Sequence, residues 1–316
     1  MTSNLSAYNR PRDASRRRFL NVLGAGALLP LLVPAAHADV NPALLTKPIP
    51  ASGEQLPVIG MGTWITFNVG SDSAARNART EVLNAFLELG GGMVDSSPMY
   101  GSAEEVVGYA LHRLGKPQPK LFSATKVWTP FAGEEQIDTS FRLWGIERFD
   151  LFQIHNLVNW QEHLQTLLAH KQAGKIRYIG ITTSHGRRHA ELEEIMRTQP
   201  IDFVQLTYNV LDREVEQRLL PVARERGIAV IANRPFQGGR LFDRFANRPL
   251  PDWAKDIGCE NWAQFFLTFV VSHPAVTCAI PATSQVAHMQ ENMGAGRGTL
   301  PDQATRTRML NYIQSL

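Results

Sequence analysis

From residue 58 onward the chain alternates short, almost wholly apolar runs with stretches whose apolar residues recur at helical spacing. The runs are VIGMGTW (58–64), GMVDSS (92–97), LFSATKV (121–127), FDLFQIHN (149–156), IRYIGITT (176–183), DFVQLTYN (202–209), IAVIAN (228–233) and AVTCAIP (275–281). Near-continuous hydrophobicity over so few residues is the pattern of parallel strands covered on both faces. The intervening stretches are amphipathic. In AEEVVGYALHRLG, Val106, Val107, Ala110, Leu111 and Leu114 fall on one face. Ser102 and Glu105 have the spacing of a capping box at its start. Gly90, Gly115, Gly145, Gly174 and Gly227 each stand just ahead of an apolar run, where a left-handed residue ends a helix.

Eight strands alternating with helices over about 270 residues predict one parallel (β/α)8 barrel of the TIM type, an α/β fold. A dinucleotide-binding doubly wound sheet would open on Gly-x-Gly-x-x-Gly, and VIGMGTW lacks the third glycine. Residues 46–57 (TKPIPASGEQLP) predict a β-hairpin turning at Ser52-Gly53 and closing the bottom of the barrel. Residues 236–258, rich in Gly, Pro and Arg, predict a long loop over the top.

Residues 1–38 read as an address. Ser15-Arg16-Arg17-Arg18-Phe19-Leu20-Asn21 is a twin-arginine pattern, VLGAGALLPLLVPAA is weakly hydrophobic, and Ala36-His37-Ala38 is a small-x-small cleavage site. Cleavage after Ala38 would leave the barrel as residues 39–316, exported folded by the twin-arginine machinery to the periplasm or an equivalent compartment. The charge distribution agrees. The leader holds five Arg against one Asp, a net +4, whereas residues 39–316 hold 27 basic and 28 acidic residues, a net −1. The body therefore has no general attraction for nucleic acid or anionic lipid. No apolar stretch reaches the ~20 residues of a membrane span, so stable insertion is not expected. Cys278 lies in the apolar run AVTCAI, which argues against a disulfide with Cys259, and no Cys/His spacing suits a metal.

In barrels of this kind the chemistry sits at the C-terminal ends of the strands. Those ends carry Thr63, Asp95, Lys126, His155, Thr182, Thr183, Gln205, Asn233, Arg234 and Pro281 to Ser284, with Tyr100 five residues beyond Asp95. Lys126 and Asp95 in one partly buried site would pair. An ammonium beside a phenol would lower the Tyr100 pKa towards the working range. His155 could hold a carbonyl oxygen against the phenol. Such a set protonates a carbonyl while hydride arrives at carbon. It contains no nucleophile–base pair and no paired carboxylates, and a reducing cofactor is implied.

Over residues 46–300 the sequence resembles the aldo-keto reductases, most specifically in MVDSSPMYGSAEEVVGYAL, SATKVW and DLFQIHN. The resemblance implies catalytic roles for Tyr100 as general acid, Lys126 and Asp95 behind it, and His155 at the carbonyl. It implies a dinucleotide along Gly62, Thr63, Trp64 and Asp95, its nicotinamide held by Thr182, Thr183 and Gln205. Asn233, Arg234 and Pro235 would follow, then Pro281, Ala282, Thr283, Ser284 and His288, with Glu291 and Asn292 at the adenine. Asn233 stands where the family often has a stacking aromatic. Ala282 and His288 stand where basic residues commonly face a 2′-phosphate, so NADP is the implied cofactor with NAD as the alternative. Trp64, Met99, Trp128 and Phe236 imply a pocket for a small apolar or aromatic aldehyde or ketone. The other histidines read as structural. Against this exported carbonyl reductase stands a second reading, an exported binding or redox-sensor module that keeps its cofactor locked and turns over little.

Overall fold

Each apolar run contributes a strand, and the strands pair in chain order. The computed structural model describes residues 43–115 and 121–316, so the predicted leader and its cleavage site lie outside the described residues. A hairpin of β1 (Thr46–Pro48) and β2 (Gln55–Pro57) comes first. The barrel strands are β3 (Met61–Gly62), β4 (Met93–Asp95), β5 (Phe122–Val127), β6 (Phe149–Ile154), β7 (Ile176–Thr182), β8 (Phe203–Thr207), β9 (Ala229–Asn233) and β10 (Cys278–Ala279). They form one eight-stranded parallel sheet in sequence order from β3 to β10. Bridges Ile59–Ala279 and Gly62–Ala282 close it into a barrel. Gly62 is required at that seam, because a Cβ there would lie 2.8 Å from the Ile280 carbonyl oxygen.

Helices α1 (Ser73–Glu88), α2 (Ala103–Arg113), α3 (Glu134–Trp144), α4 (Trp160–Gln172), α5 (His189–Thr198) and α6 (Leu219–Arg226) follow β3 to β8 in turn. The connection after β9 carries α7 (Arg240–Phe245) before α8 (Trp262–Val271), and α9 (Val286–Gly294) and α10 (Gln303–Ser315) complete the chain. Two expectations fail here for identifiable reasons. Residues 236–258 are not a plain loop, because Leu241 and Phe245 at i, i+4 spacing are buried and make α7 a short amphipathic helix. Ser102 does not form a capping box. Its hydroxyl accepts from the Gly70 N–H at 2.8 Å and donates to Asn68 Oδ1 at 3.2 Å, while Glu105 pairs with Arg76 at 2.7 Å. The loop before α1 takes Ser102, and Arg76 of α1 takes Glu105.

The hairpin does close the bottom. Ile49 and Leu56 are buried in one cluster with Met93, Phe122, Leu151, Phe203 and Ala229, which lie at or near the starts of their strands. Lys47 anchors it by donating to the carbonyls of Val271, His273 and Val276 at 2.7, 2.8 and 2.7 Å. Burial, helped by nearby Arg306, brings the pKa of that ammonium down to about 8. Cys259 and Cys278 are both buried and unpaired. Among the described residues no helix is long and apolar enough to cross a membrane.

Candidate active site

β4, β5 and β6 end beside one another, which brings Asp95, Lys126 and His155 to one side of the top face. Lys126, wholly buried, places Nζ 2.6 Å from Asp95 Oδ2 and donates to the Ser96 carbonyl at 2.7 Å. Asp95 Oδ1 accepts from Gln153 Nε2 at 2.9 Å and Gln205 Nε2 at 3.0 Å. A buried ion pair is tolerable only when its remaining lone pairs and protons are engaged, and these amides do that. Burial alone would lower the Lys126 pKa. Asp95, and after it Tyr100, outweigh burial, so Lys126 stays an ammonium.

Tyr100 ends a 3-10 turn, Pro98–Tyr100, whose N-cap is Ser97. The Lys126 Nζ stands 5.0 Å from the centre of its ring, and the His155 ring meets it edge-on at 5.7 Å. The expected lowering of the phenol's pKa is not the net result. Burial pushes it up, Lys126 pulls it back only in part, and the balance lies above the ordinary value of 10.0. Tyr100 is therefore a neutral phenol at physiological pH. His155 is neutral as well, because burial, with Lys126 adding to it, drives its pKa down to about 2. Ser97 Oγ accepts from the Met99 N–H at 3.2 Å and stands 2.8 Å from His155 Nδ1, to which it can donate its own hydrogen. With the hydroxyl donating, the imidazole proton resides on Nε2.

A cavity of about 410 Å³ opens over these groups. Asp95, Tyr100 and His155 line it, with Gly62, Thr63 and Trp64 from the seam and Thr182 and Gln205 from β7 and β8. Asn233, Arg234, Pro235 and Phe236 line it further on, as do Met99, Pro281 and Ala282. Thr183 is buried without lining it, and Asn233 donates to the Thr183 carbonyl at 2.9 Å. Thr283, Ser284, His288, Glu291 and Asn292 lie outside this cavity; His288 is exposed on α9. Trp128 does not line it either. Its backbone is bracketed by the Gln136 amide, and its ring is 40% exposed.

Several lining residues carried no signal that singled them out: Ile65, Thr66, Asn156, His185, Arg187, Gly238, Gly239 and Phe242. His185 is thus a cavity residue, not the bland loop histidine expected. Gln153, a polar residue inside the run FDLFQIHN, was open to detection as an inward-facing group. Ile65, Asn156, His185 and Arg234 all hold positive φ, at 62, 54, 60 and 51°, so backbone strain is concentrated around the mouth.

The residues present suit a dinucleotide. Thr183 Oγ1 and Thr66 Oγ1 are buried without hydrogen-bond partners, and Gln205 Oε1 has only a 3.5 Å contact from Asn233 Nδ2. Of these residues Thr66 and Gln205 line the cavity, so their oxygens are available to an amide and a ribose. Near the expected phosphate loop, Arg79 of α1 donates to Thr66 O at 2.5 Å and reaches Ser284 O at 3.5 Å. It brings the cation that the loop itself lacks. Among the described residues no group of three or more His, Cys, Asp or Glu could hold a metal ion.

Comparison with known proteins gives the family. The family model described as "Aldo/keto reductase family" matches residues 58–307. A methylglyoxal reductase of Escherichia coli K12, YeaE, is 30% identical over 256 residues, covering 78% of this chain and 88% of that protein. The NADH-specific methylglyoxal reductase of the same organism is 27% identical over 250 residues, covering 66% and 72%. An aldo/keto reductase from Klebsiella pneumoniae, solved with NADP and acetate, superposes with a TM-score of 0.69 at 26% identity, covering 83% of this chain and 92% of that one.

Proposed function

The chain belongs to the aldo/keto reductase family, and we propose that it reduces a small aldehyde or ketone to the alcohol. The observation that carries this reading is the pairing of a neutral phenol and a neutral imidazole over one cavity, with a buried ammonium behind the phenol. A nicotinamide dinucleotide held between Thr182, Gln205 and Asn233 on one side and Gly62 to Trp64 on the other supplies the hydride when bound. Every other part belongs to the chain. His155 Nε2–H holds the carbonyl oxygen, and Tyr100 gives that oxygen its proton. The phenolate left behind is stabilised by Lys126, whose position Asp95, Gln153 and Gln205 fix. Because burial keeps Tyr100 protonated, the acid is loaded throughout the neutral range.

NADP is the proposed cofactor. The Klebsiella relative's complex with NADP supports it, as does Arg79 beside Ser284. The absence of Lys or Arg from residues 281–288, together with the NADH-specific relative, supports appreciable use of NADH as well. Export by the twin-arginine route is likewise a proposal, supported by the motif, apolar run and cleavage site of residues 15–38.

Oxidation of NADPH followed with a panel of aldehydes tests the reading, with Tyr100→Phe as control. Loss of a general acid should cost 10²–10⁴-fold in kcat. Reduction that survives the substitution within about threefold would reject Tyr100 as the acid. One turnover per molecule without nucleotide exchange would favour the cofactor-locked module instead.

A further inference from the structure

The rim of the cavity carries positive charge that, among the described residues, only Asp212 offsets, and in part. Arg187 and Arg234 both line the cavity, and no carboxylate or carbonyl among the described residues accepts a hydrogen bond from either guanidinium. Arg240 adds to the same field, and it and Arg187 both raise the cost of charge on Arg234. The acid within reach is Asp212. Its Oδ2 already accepts from Asn209 Nδ2 at 2.8 Å and from Gln237 Nε2 at 2.8 Å, and it forms no ion pair with an arginine. Exposed arginines are ordinarily just solvated. Arg234 differs because it is half-buried, its backbone is held at a φ of 51°, and its guanidinium lies 5.9 Å over the Trp64 ring on the cavity wall. Half-buried cations normally have partners.

The position of the two arginines indicates which partner. Arg188 Nη1 pins the Arg187 loop to the carbonyls of Asn156 and Leu157, at 2.7 and 3.1 Å, immediately beyond His155. Arg234 crosses to Trp64, next to Thr63, whose hydroxyl lies 3.0 Å from the Asp95 carbonyl oxygen. Both cations thus belong to the rim around the proton donors, away from residues 283–292. We infer that Arg187 and Arg234 form an anion-binding subsite for the substrate, so that the preferred carbonyl compound carries a carboxylate or phosphate a few bonds from the reacting carbon. This rests on the reductase reading and narrows its substrate class from neutral apolar aldehydes to acid-bearing ones.

The test compares a matched pair, 4-carboxybenzaldehyde and benzaldehyde, in the wild type, Arg187→Ala and Arg187→Ala/Arg234→Ala. Wild type should favour the carboxylate by tenfold or more in kcat/KM at low salt, with the preference shrinking as ionic strength rises. The double variant should bring the ratio of the two values close to one, and Arg187→Ala alone should fall between. Dinucleotide Kd, read separately by quenching of tryptophan fluorescence, should change less than threefold in Arg187→Ala. Benzoate titrated against the loaded protein should bind several-fold more weakly to the variants than to wild type. If wild type treats the two aldehydes alike, the subsite is wrong and the reductase stands. If the variants keep the discrimination but lose dinucleotide affinity tenfold, the arginines serve the cofactor's phosphates and the inference falls. If neither aldehyde is reduced, the reductase reading fails with it.

Discussion

Ser97 illustrates how much one hydroxyl can decide. It accepts from the backbone, and when it donates to His155 Nδ1 it sets the imidazole proton on Nε2, the nitrogen proposed to meet the carbonyl. Ser97→Ala should release both tautomers and lower kcat roughly three- to tenfold, the cost of about one ordinary hydrogen bond. Nitrogen NMR of His155 should show the Nε2-protonated form giving way to a mixture, and Ser97→Thr should restore it. An unchanged tautomer in the alanine variant would remove Ser97 from the mechanism. The four side chains proposed for catalysis could be picked out in the sequence because each is a polar residue at or just past the end of an apolar run. The pKa of Tyr100 could not be, since its direction depends on how deeply the phenol is buried against how closely Lys126 approaches. Arg79 and Arg187 left no mark because a cation on an amphipathic helix or a polar loop is unremarkable until the fold turns it towards a site.

Among elements, the hairpin shows the clearest link between burial and pH. In the fold Lys47 titrates at about 8, below its ordinary 10.5, because folding takes its ammonium out of water. Between these values the unfolded chain binds more protons than the folded one, so this residue makes stability rise with pH across that window. The gain is on the order of 3 kcal/mol if the whole shift is realised. Urea denaturation of wild type and Lys47→Met from pH 7.5 to 10 should therefore give curves that diverge, wild type gaining relative to the variant. Parallel curves would show that the ammonium is not desolvated as the geometry implies. The helical reading of residues 103–113 was sound from periodicity alone, whereas α7 was hidden. Its composition is that of a loop, and a single Leu241–Phe245 pair is too short a period to stand out before Trp262 and Phe266 are seen packing against Phe245.

For the molecule as a whole, the cavity draws on both edges of the sheet, from Gly62 of β3 to Ala282 after β10. A ligand there should stabilise the barrel as a unit. Dinucleotide at 100 times its Kd should add about 2.7 kcal/mol to the unfolding free energy, with one cooperative transition. A nucleotide that shifted only part of a biphasic melt would show that the seam opens independently.

The seam has a further consequence, in time. β3 and β10 are two residues each, the shortest strands of the sheet, and they meet across more than two hundred positions of chain. A chain emerging amino end first can assemble β4 to β8 with their helices, but β3 has no second neighbour until residue 282 has left the ribosome. Closing so long a loop is the slow, late event in such a topology. The pocket is therefore incomplete until the last strand is in place. Capture of the proposed dinucleotide has to wait for the moment the barrel closes.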